Sequence, residues 1–248
     1  MKKTIEKNDI FNIGNGDEMK NISFGLFAAE ELVSASGTSI PADGLIEIIS
    51  LSENGKAVIK TDLPFGSYYV KELATDEHYI LPDTKYPVTF EYAGQETAKV
   101  QLAVNNGEAI ENDLIYGSVS GRKVNENGEP LGGALIGLFK YNDTEFTKGN
   151  ALMTVTSKDD GSFSFEQIPF GIWYVREIEQ PTGFVLNETV YEVNIAENKQ
   201  VVEIEIVNEF VRGNITLTKV DADFPDNKLT GATFEVYQDN NADGKPDD

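Results

Sequence analysis

The sequence predicts an all-β protein built from tandem β-sandwich domains, and three observations carry that prediction. Short runs rich in Val, Ile, Tyr, Phe and Thr alternate with Gly, Asn, Asp and Pro turn signals along the whole chain. No segment shows a convincing helical period, although Phe27–Leu32 is expected to form a single helical turn. Blocks of sequence recur in a fixed order, which marks repeated structural units.

The repeats define the organisation. Leu63-Pro64-Phe65-Gly66-Ser67-Tyr68-Tyr69-Val70-Lys71-Glu72 returns as Ile168-Pro169-Phe170-Gly171-Ile172-Trp173-Tyr174-Val175-Arg176-Glu177. Ser23–Phe27 returns as Leu135–Phe139, and Ile110–Gly117 returns as Ile206–Gly213. A further copy opens with Gly213-Asn214-Ile215-Thr216-Leu217-Thr218-Lys219, parallel to Gly117–Lys123, and continues with Leu229–Phe234, parallel to Leu131–Ile136. The expected domains are therefore 1–115, 116–212 and an opening third, 213–248. The links between them are short, so the domains are expected head to tail with little freedom. The third copy stops in mid-pattern, and the chain is expected to be a piece of a longer protein whose last segment is poorly ordered or shows open sheet edges. Asp160-Gly161, between Thr154-Val155-Thr156 and Ser162–Phe165, reads as a hairpin turn, and Asn54-Gly55 plays a similar part in the first copy.

Composition narrows the function. The formal net charge is -22, which excludes nucleic acid and anionic lipid as ordinary partners and reads as a solvated acidic surface. There are no cysteines, so stability in an oxidising compartment has to come from something other than a disulfide. No apolar run is long enough to span a membrane, and the charged start Met1-Lys2-Lys3 is followed by no apolar signal-peptide core. A lone histidine, His78, without cysteines excludes the common zinc sites. The carboxylates are spread over outward strand positions and turns, with no paired cleft motif, phosphate loop or nucleophile elbow to support a hydrolase.

Strand alternation singles out three residue types that face the core against their chemistry. In the first strand of each copy a lysine shares parity with apolar residues: Lys7 with Ile5, Lys123 with Val119, and Lys219 with Ile215 and Leu217. In the middle strand Glu72 follows Tyr68 and Val70, and Glu177 follows Trp173 and Val175. In the last strand Asn112 stands between Ile110 and Leu114, and Asn208 between Ile206 and Phe210. Burial disfavours the charged forms of lysine and glutamate. A neutral amine is a nucleophile, a protonated glutamic acid is a proton donor, and an asparagine amide offers an electrophilic carbon with ammonia as leaving group. Together they are equipped to form a Lys–Asn amide, favoured by proximity in a folded core. A buried Lys–Glu ion pair beside a hydrogen-bonded asparagine accounts for the same pattern.

The residues Gly117-x-Val119-x-x-x-Lys123, Leu131-x-Gly133-Ala134, Asp160-Gly161-x-Phe163, Pro169-x-Gly171-x-x-x-Val175-x-Glu177, Pro181-x-Gly183-Phe184 and Asn208 resemble the Cna B-type, or SpaA-type prealbumin-like, domain of Gram-positive surface adhesins and pilins. The resemblance covers 117–212 well, 1–116 with departures and 213–248 as an opening. It implies tandem transthyretin-like Greek-key β-sandwiches at the cell wall, each closed by an isopeptide bond from a first-strand lysine to a last-strand asparagine, with a middle-strand glutamate as acid/base. Carried over, the sets are Lys123, Glu177 and Asn208 in the second domain and Lys7, Glu72 and Asn112 in the first. Lys7 requires an insertion before Phe24, and Lys3 is the alternative; Asn21 and Ile22 also depart from the usual Gly-Ala. Lys219 would be the third lysine, with partners outside the sequence.

The resemblance implies a structural stalk or repeat region of a wall-anchored protein, with no enzymatic activity beyond closing its own bonds and with neighbouring domains of the same chain as its partners. The competing reading is a module whose loops bind a host matrix protein or a glycan, with Tyr69 and Tyr174 as a carbohydrate platform. Pilus subunit and single-chain adhesin stay open. No cofactor is expected except calcium: Asp239, Asn241, Asp243 and Asp247 match the opening of a calcium loop, and ordinary acidic turns share that pattern.

Overall fold

The computed structural model describes residues 1–33, 37–96, 100–237 and 245. It divides into Met1–Phe210 and Val211–Asp248. Among its described residues the first unit holds fifteen strands: β1 (Lys2–Ile5), β2 (Ser23–Ala28), β3 (Leu32–Val33), β4 (Ser39–Ile40), β5 (Leu45–Ser50), β6 (Gly66–Ala74), β7 (Lys85–Phe90), β8 (Ala109–Asn112), β9 (Tyr116–Asn125), β10 (Leu135–Lys140), β11 (Met153–Thr156), β12 (Ser162–Pro169), β13 (Gly171–Glu179), β14 (Tyr191–Ile195) and β15 (Val201–Asn208). Among the described residues, helix is confined to two short 3-10 turns, Glu18–Asn21 and Val104–Gly107. The expected helical turn at Phe27–Leu32 does not form, because Phe27 and Ala28 continue β2 against β6 and Leu32 begins β3.

Two sandwiches follow from these strands. In the second, β11-β10-β13-β14 form one sheet and β12-β9-β15 the other. In the first, β5-β2-β6-β7 form the matching four-stranded sheet, and β1 pairs with β8 opposite it. The first strand runs parallel to the last in both copies, β1 with β8 and β9 with β15. Pro87 falls in β7, an edge strand, where its missing N–H interrupts no inner ladder.

Alternation fills the cores. Phe24, Leu26, Tyr68, Val70 and Ile110 are buried in the first sandwich, and Ile136, Leu138, Phe165, Val175 and Ile206 in the second. The repeated Pro-Phe-Gly block does the same work twice. Tyr68 donates its hydroxyl to the Pro64 carbonyl at 2.5 Å, and Trp173 donates Nε1–H to the Pro169 carbonyl at 2.9 Å. Each buried aromatic thus has its polar tip satisfied by the chain four residues back.

The two Asx-Gly turns are formed, but neither joins neighbouring strands of one sheet. The turn at Asp160-Gly161 carries the chain from β11 in one sheet to β12 in the other. Its glycine has φ +78°, and a Cβ there would lie 2.4 Å from the Lys123 carbonyl oxygen. Gly55, with φ +69°, meets the Lys3 carbonyl oxygen in the same way at 2.3 Å. Both positions therefore require glycine for φ and for close approach.

The sandwiches share a buried junction. Phe11, Ile13, Tyr79 and Leu114 pack in one cluster with the core of the second sandwich, and Phe11 meets Trp173 edge to face at 4.7 Å. Glu6 ties the link: Oε2 accepts the Leu114 N–H at 2.8 Å and Oε1 accepts the Tyr116 hydroxyl at 3.0 Å. The insertion between the first-strand lysine and Phe24 supplies this wedge.

Residues 211–237 form no strand among the described residues. A bridge pairs Val220 with Lys228, and the Leu229 N–H donates to the Lys219 carbonyl at 2.9 Å. The second sandwich has the same turn, where Val124 bridges Pro130 and the Leu131 N–H donates to the Lys123 carbonyl at 2.9 Å.

Candidate functional site

Each sandwich buries one lysine, one glutamate and one asparagine together. In the second they are Lys123, Glu177 and Asn208, at 0%, 1% and 1% exposure. Lys123 comes from β9, Glu177 from β13 in the facing sheet, and Asn208 from the end of β15. Nζ of Lys123 lies 3.9 Å from Glu177 Oε1 and donates to the Ile206 carbonyl at 3.1 Å. Asn208 Nδ2 donates to both Glu177 oxygens, at 3.0 and 2.9 Å.

In the first sandwich the lysine is Lys3, not Lys7. Lys3 is 2% exposed, its Nζ lies 3.8 Å from Glu72 Oε2, and it donates to the Ile110 carbonyl at 3.3 Å. Asn112 Nδ2 donates to Glu72 Oε1 at 2.6 Å. Lys7 lies outside β1, exposed, with Nζ bonded to Asn15 Oδ1 at 3.2 Å. Residues 3, 5 and 7 share strand parity, so alternation has no power to choose between the two lysines. Register does. Lys3 stands opposite Ile110 as Lys123 stands opposite Ile206. The Lys3 N–H donates to the Gly55 carbonyl at 2.7 Å, as the Lys123 N–H does to Gly161 at 2.7 Å.

Burial sets the protonation. Desolvation lowers the Lys3 pKa to about 8, opposed by the charge of Glu72. Desolvation also lowers that of Lys123 and raises those of Glu72 and Glu177. All four groups are driven toward neutrality. Glu72 Oε2, Asn112 Oδ1 and Asn208 Oδ1 are buried without hydrogen-bond partners. An ionised carboxylate has no proton to offer those amide oxygens, whereas a protonated one does.

Two contacts escaped the sequence. Thr75 Oγ1 accepts from Asn112 Nδ2 at 2.8 Å, and the Asn187 N–H donates to Glu177 Oε2 at 2.7 Å. Neither residue lies on the strand face shared with its glutamate, so the period of two does not reach them. The sole signal for Asn187 is its place just after Pro181-x-Gly183-Phe184.

The remaining candidates stand elsewhere. Lys219 is exposed, and its carbonyl holds the turn to Leu229. Asp239, Asn241, Asp243 and Asp247 lie outside the described residues. Tyr69 is 8% exposed, stacked on Phe27 at 5.0 Å and with Lys85 Nζ over its ring at 4.3 Å, so it offers no open platform. Tyr174 packs against Tyr141 and Phe146. Among the described residues, no helix is long and apolar enough to cross a membrane.

Comparison with known proteins agrees with this architecture. A family model described as SpaA, prealbumin-like fold domain, matches residues 4–106 and 117–210. Among solved structures, the Bacillus anthracis TIE protein aligns with a TM-score of 0.56 at 20% identity, over 85% of this chain and 33% of its own. The C-terminal fragment of the pilus adhesin SpaC from Lactobacillus rhamnosus GG aligns with a TM-score of 0.52 at 13% identity, over 86% of this chain and 98% of its own. The chain thus spans a third of the length of the former and nearly all of the latter. No match is found among curated protein sequences.

Proposed function

Since the chain belongs to the SpaA family of prealbumin-like fold domains, we propose that residues 1–210 are a load-bearing stalk segment of a Gram-positive cell-surface protein. Each sandwich closes itself with one Lys–Asn isopeptide bond, Lys3–Asn112 in the first and Lys123–Asn208 in the second. The observation that carries this reading is the recurrence of one buried Lys–Glu–Asn cluster, in one register, in both sandwiches.

The chemistry balances within each cluster. The neutral lysine amine attacks Cγ of the asparagine. Protonated Glu72 or Glu177 gives its proton toward the amide and takes the surplus proton from the lysine nitrogen. The Cγ–Nδ2 bond breaks, an Nζ–Cγ bond forms and one ammonia leaves; no oxidant or cofactor enters. Burial supplies both the free amine and the acid, and the strand register supplies proximity.

The bond suits tension. It joins the first strand to the last, so force applied at the ends passes through a covalent tie. Closing a loop of most of a domain is worth about 4–5 kcal/mol in the chain-entropy account developed for disulfides. Unlike a disulfide, an amide is not reduced.

Intact mass of the purified protein tests the proposal. A deficit of two ammonia molecules, with Lys3–Asn112 and Lys123–Asn208 recovered as linked peptides, is expected. A full, unreduced mass would sink the self-locking mechanism and leave two buried ion pairs.

A further inference from the structure

The two clusters hold the same three residues by different outer contacts. Val70 pairs with Tyr86 as Val175 pairs with Tyr191, and between these pairs the two copies run without a gap. The turns inside this stretch match bond for bond. The Ile80 N–H donates to the Asp113 carbonyl at 3.0 Å, and the Val185 N–H to the Glu209 carbonyl at 2.9 Å. Pro82 therefore occupies in the first sandwich the place of Asn187 in the second, and Thr75 the place of Gln180.

That exchange changes what each glutamate meets. The Asn187 N–H donates to Glu177 Oε2 at 2.7 Å, whereas proline has no N–H to offer Glu72. Glu72 Oε2 is correspondingly buried without a hydrogen-bond partner. The amides differ to match. Asn208 Nδ2 donates to both oxygens of Glu177, at 3.0 and 2.9 Å. Asn112 Nδ2 donates to Glu72 Oε1 at 2.6 Å and to Thr75 Oγ1 at 2.8 Å. Gln180, in the place of Thr75, is exposed. The remaining groups that face the carboxyls correspond: Lys3 from β1 and Tyr86 from β7 in the first sandwich, Lys123 from β9 and Tyr191 from β14 in the second. Glu111 and Asp113 favour the charged form of Lys3, and burial outweighs them. Burial pushes both glutamates up. Against it act the Asn112 amide, Lys3 and Thr75 in the first, and in the second the Asn187 N–H ahead of the Asn208 amide and Lys123.

We propose that the Asn187 N–H slows closure of the second sandwich, and that the first, with proline in that place, closes ahead of it. This order presupposes the Lys–Asn bond formation proposed for each sandwich. Reaction needs the proton of the lysine–glutamate pair on the glutamate, so that the amine is free and the acid is ready to give. A donor fixed on the carboxylate stabilises its ionised form and returns the proton to the lysine. Asn187 is thus a positioning residue that acts through Glu177. One hydrogen bond to a charged group is worth about tenfold in the population of the reactive form. A chain that locks in this order has its first sandwich covalently tied while the second is still able to unfold and refold.

Both links can be followed in one sample. The full chain is made by cell-free synthesis, collected in urea, where neither cluster is assembled, diluted into buffer and quenched in acid at intervals. Mass analysis of the linked peptides then gives a rate for each. Lys3–Asn112 is expected to form about tenfold faster than Lys123–Asn208. Asn187→Pro is expected to speed the second link about tenfold, a gain that damage to the fold does not produce. Asn187→Ala loses the same side chain and keeps the N–H, so it should close about tenfold slower than Asn187→Pro. If Asn187→Pro does not fold, Pro82→Ala carries the test. It supplies an N–H in the first sandwich and is expected to slow Lys3–Asn112 about tenfold, with the second link as internal reference. Equal rates for the two links in the parent, or a Pro82→Ala chain that closes its first link as fast as the parent, would overturn the order and leave the bonds standing. Absence of both links at every time would overturn the closure reaction itself, and the order with it.

Discussion

Lys3 Nζ and Glu72 Oε2 lie 3.8 Å apart with no side-chain exposure on either residue. An isolated pair of ions there would be costly to desolvate, and burial pushes the lysine toward the amine and the glutamate toward the acid. Under the proposed closure, Lys3 is therefore the lysine of the first sandwich that reacts. Lys3→Ala is expected to remove one ammonia deficit from the intact mass, while Lys7→Ala leaves both. Peptide mapping of the two variants checks this, and a deficit lost with Lys7→Ala would reverse the assignment.

The glutamates are expected to be required for closure and dispensable for folding. Glu177→Ala should leave Lys123 and Asn208 unlinked, with one ammonia deficit remaining from the first sandwich. The second sandwich should then lose about 4–5 kcal/mol of stability, read from urea unfolding, because its unfolded state is no longer cross-linked.

Unreacted protein should reveal the depressed lysine through pH. In Asn112→Ala the Lys3 amine is kept. Its folded pKa of about 8 lies below the ordinary 10.5, so the fold disfavours the protonated form. The resulting penalty is complete below pH 8 and disappears as pH rises from about 8 to 10.5. Stability of this variant should therefore climb across that window. If the proposed bond has turned its lysine nitrogen into an amide, the parent protein should lack this climb, and identical profiles would show that Lys3 stays an amine in both.

The two glycines that touch the lysine carbonyls should control how well the lysines are placed. Gly161→Ala puts a Cβ 2.4 Å from the Lys123 carbonyl oxygen at φ +78°. A strain of roughly 1–3 kcal/mol is expected, relieved by moving β9 away from the turn. The yield of the Lys123–Asn208 link should fall while that of Lys3–Asn112 is unchanged, so mass analysis of each linked peptide reports the effect locally.

Much of this was legible in the sequence, and the gaps have physical causes. Alternation placed Glu72, Glu177, Asn112, Asn208 and Lys123 on the inner face, because strands with one wet side leave little freedom. The same rule holds for Lys3 and Lys7 alike, so it found the face and missed the position along the strand. What separates them is the pairing of β1 with β8, a contact between residues more than a hundred positions apart. The Asp160-Gly161 turn was legible as a turn, but its sheet-to-sheet path was not, since turn chemistry does not record which sheet each flanking strand joins. The insertion before Phe24 was visible as extra length. That it forms a wedge between domains depends on Phe11 finding Trp173, which no local pattern encodes.

That wedge should make the two sandwiches unfold as one. Phe11 is 7% exposed and belongs to the same buried cluster as Trp173, Ile168 and Val175. Phe11→Ala removes the edge-to-face contact and leaves a void at the junction, at a cost of about 3–5 kcal/mol. Neither cross-link cluster includes Phe11, so both ammonia deficits should persist. The expected change is in cooperativity. Calorimetry of the parent should show the sandwiches melting in a single transition, and the variant should show two, with the Glu6 bonds to Leu114 and Tyr116 left as the main tie across the link. A single transition in both proteins would mean that the backbone link and Glu6 suffice to couple the sandwiches. Adding Glu6→Gln to Phe11→Ala would then have to separate the transitions for the junction to hold the role its geometry gives it.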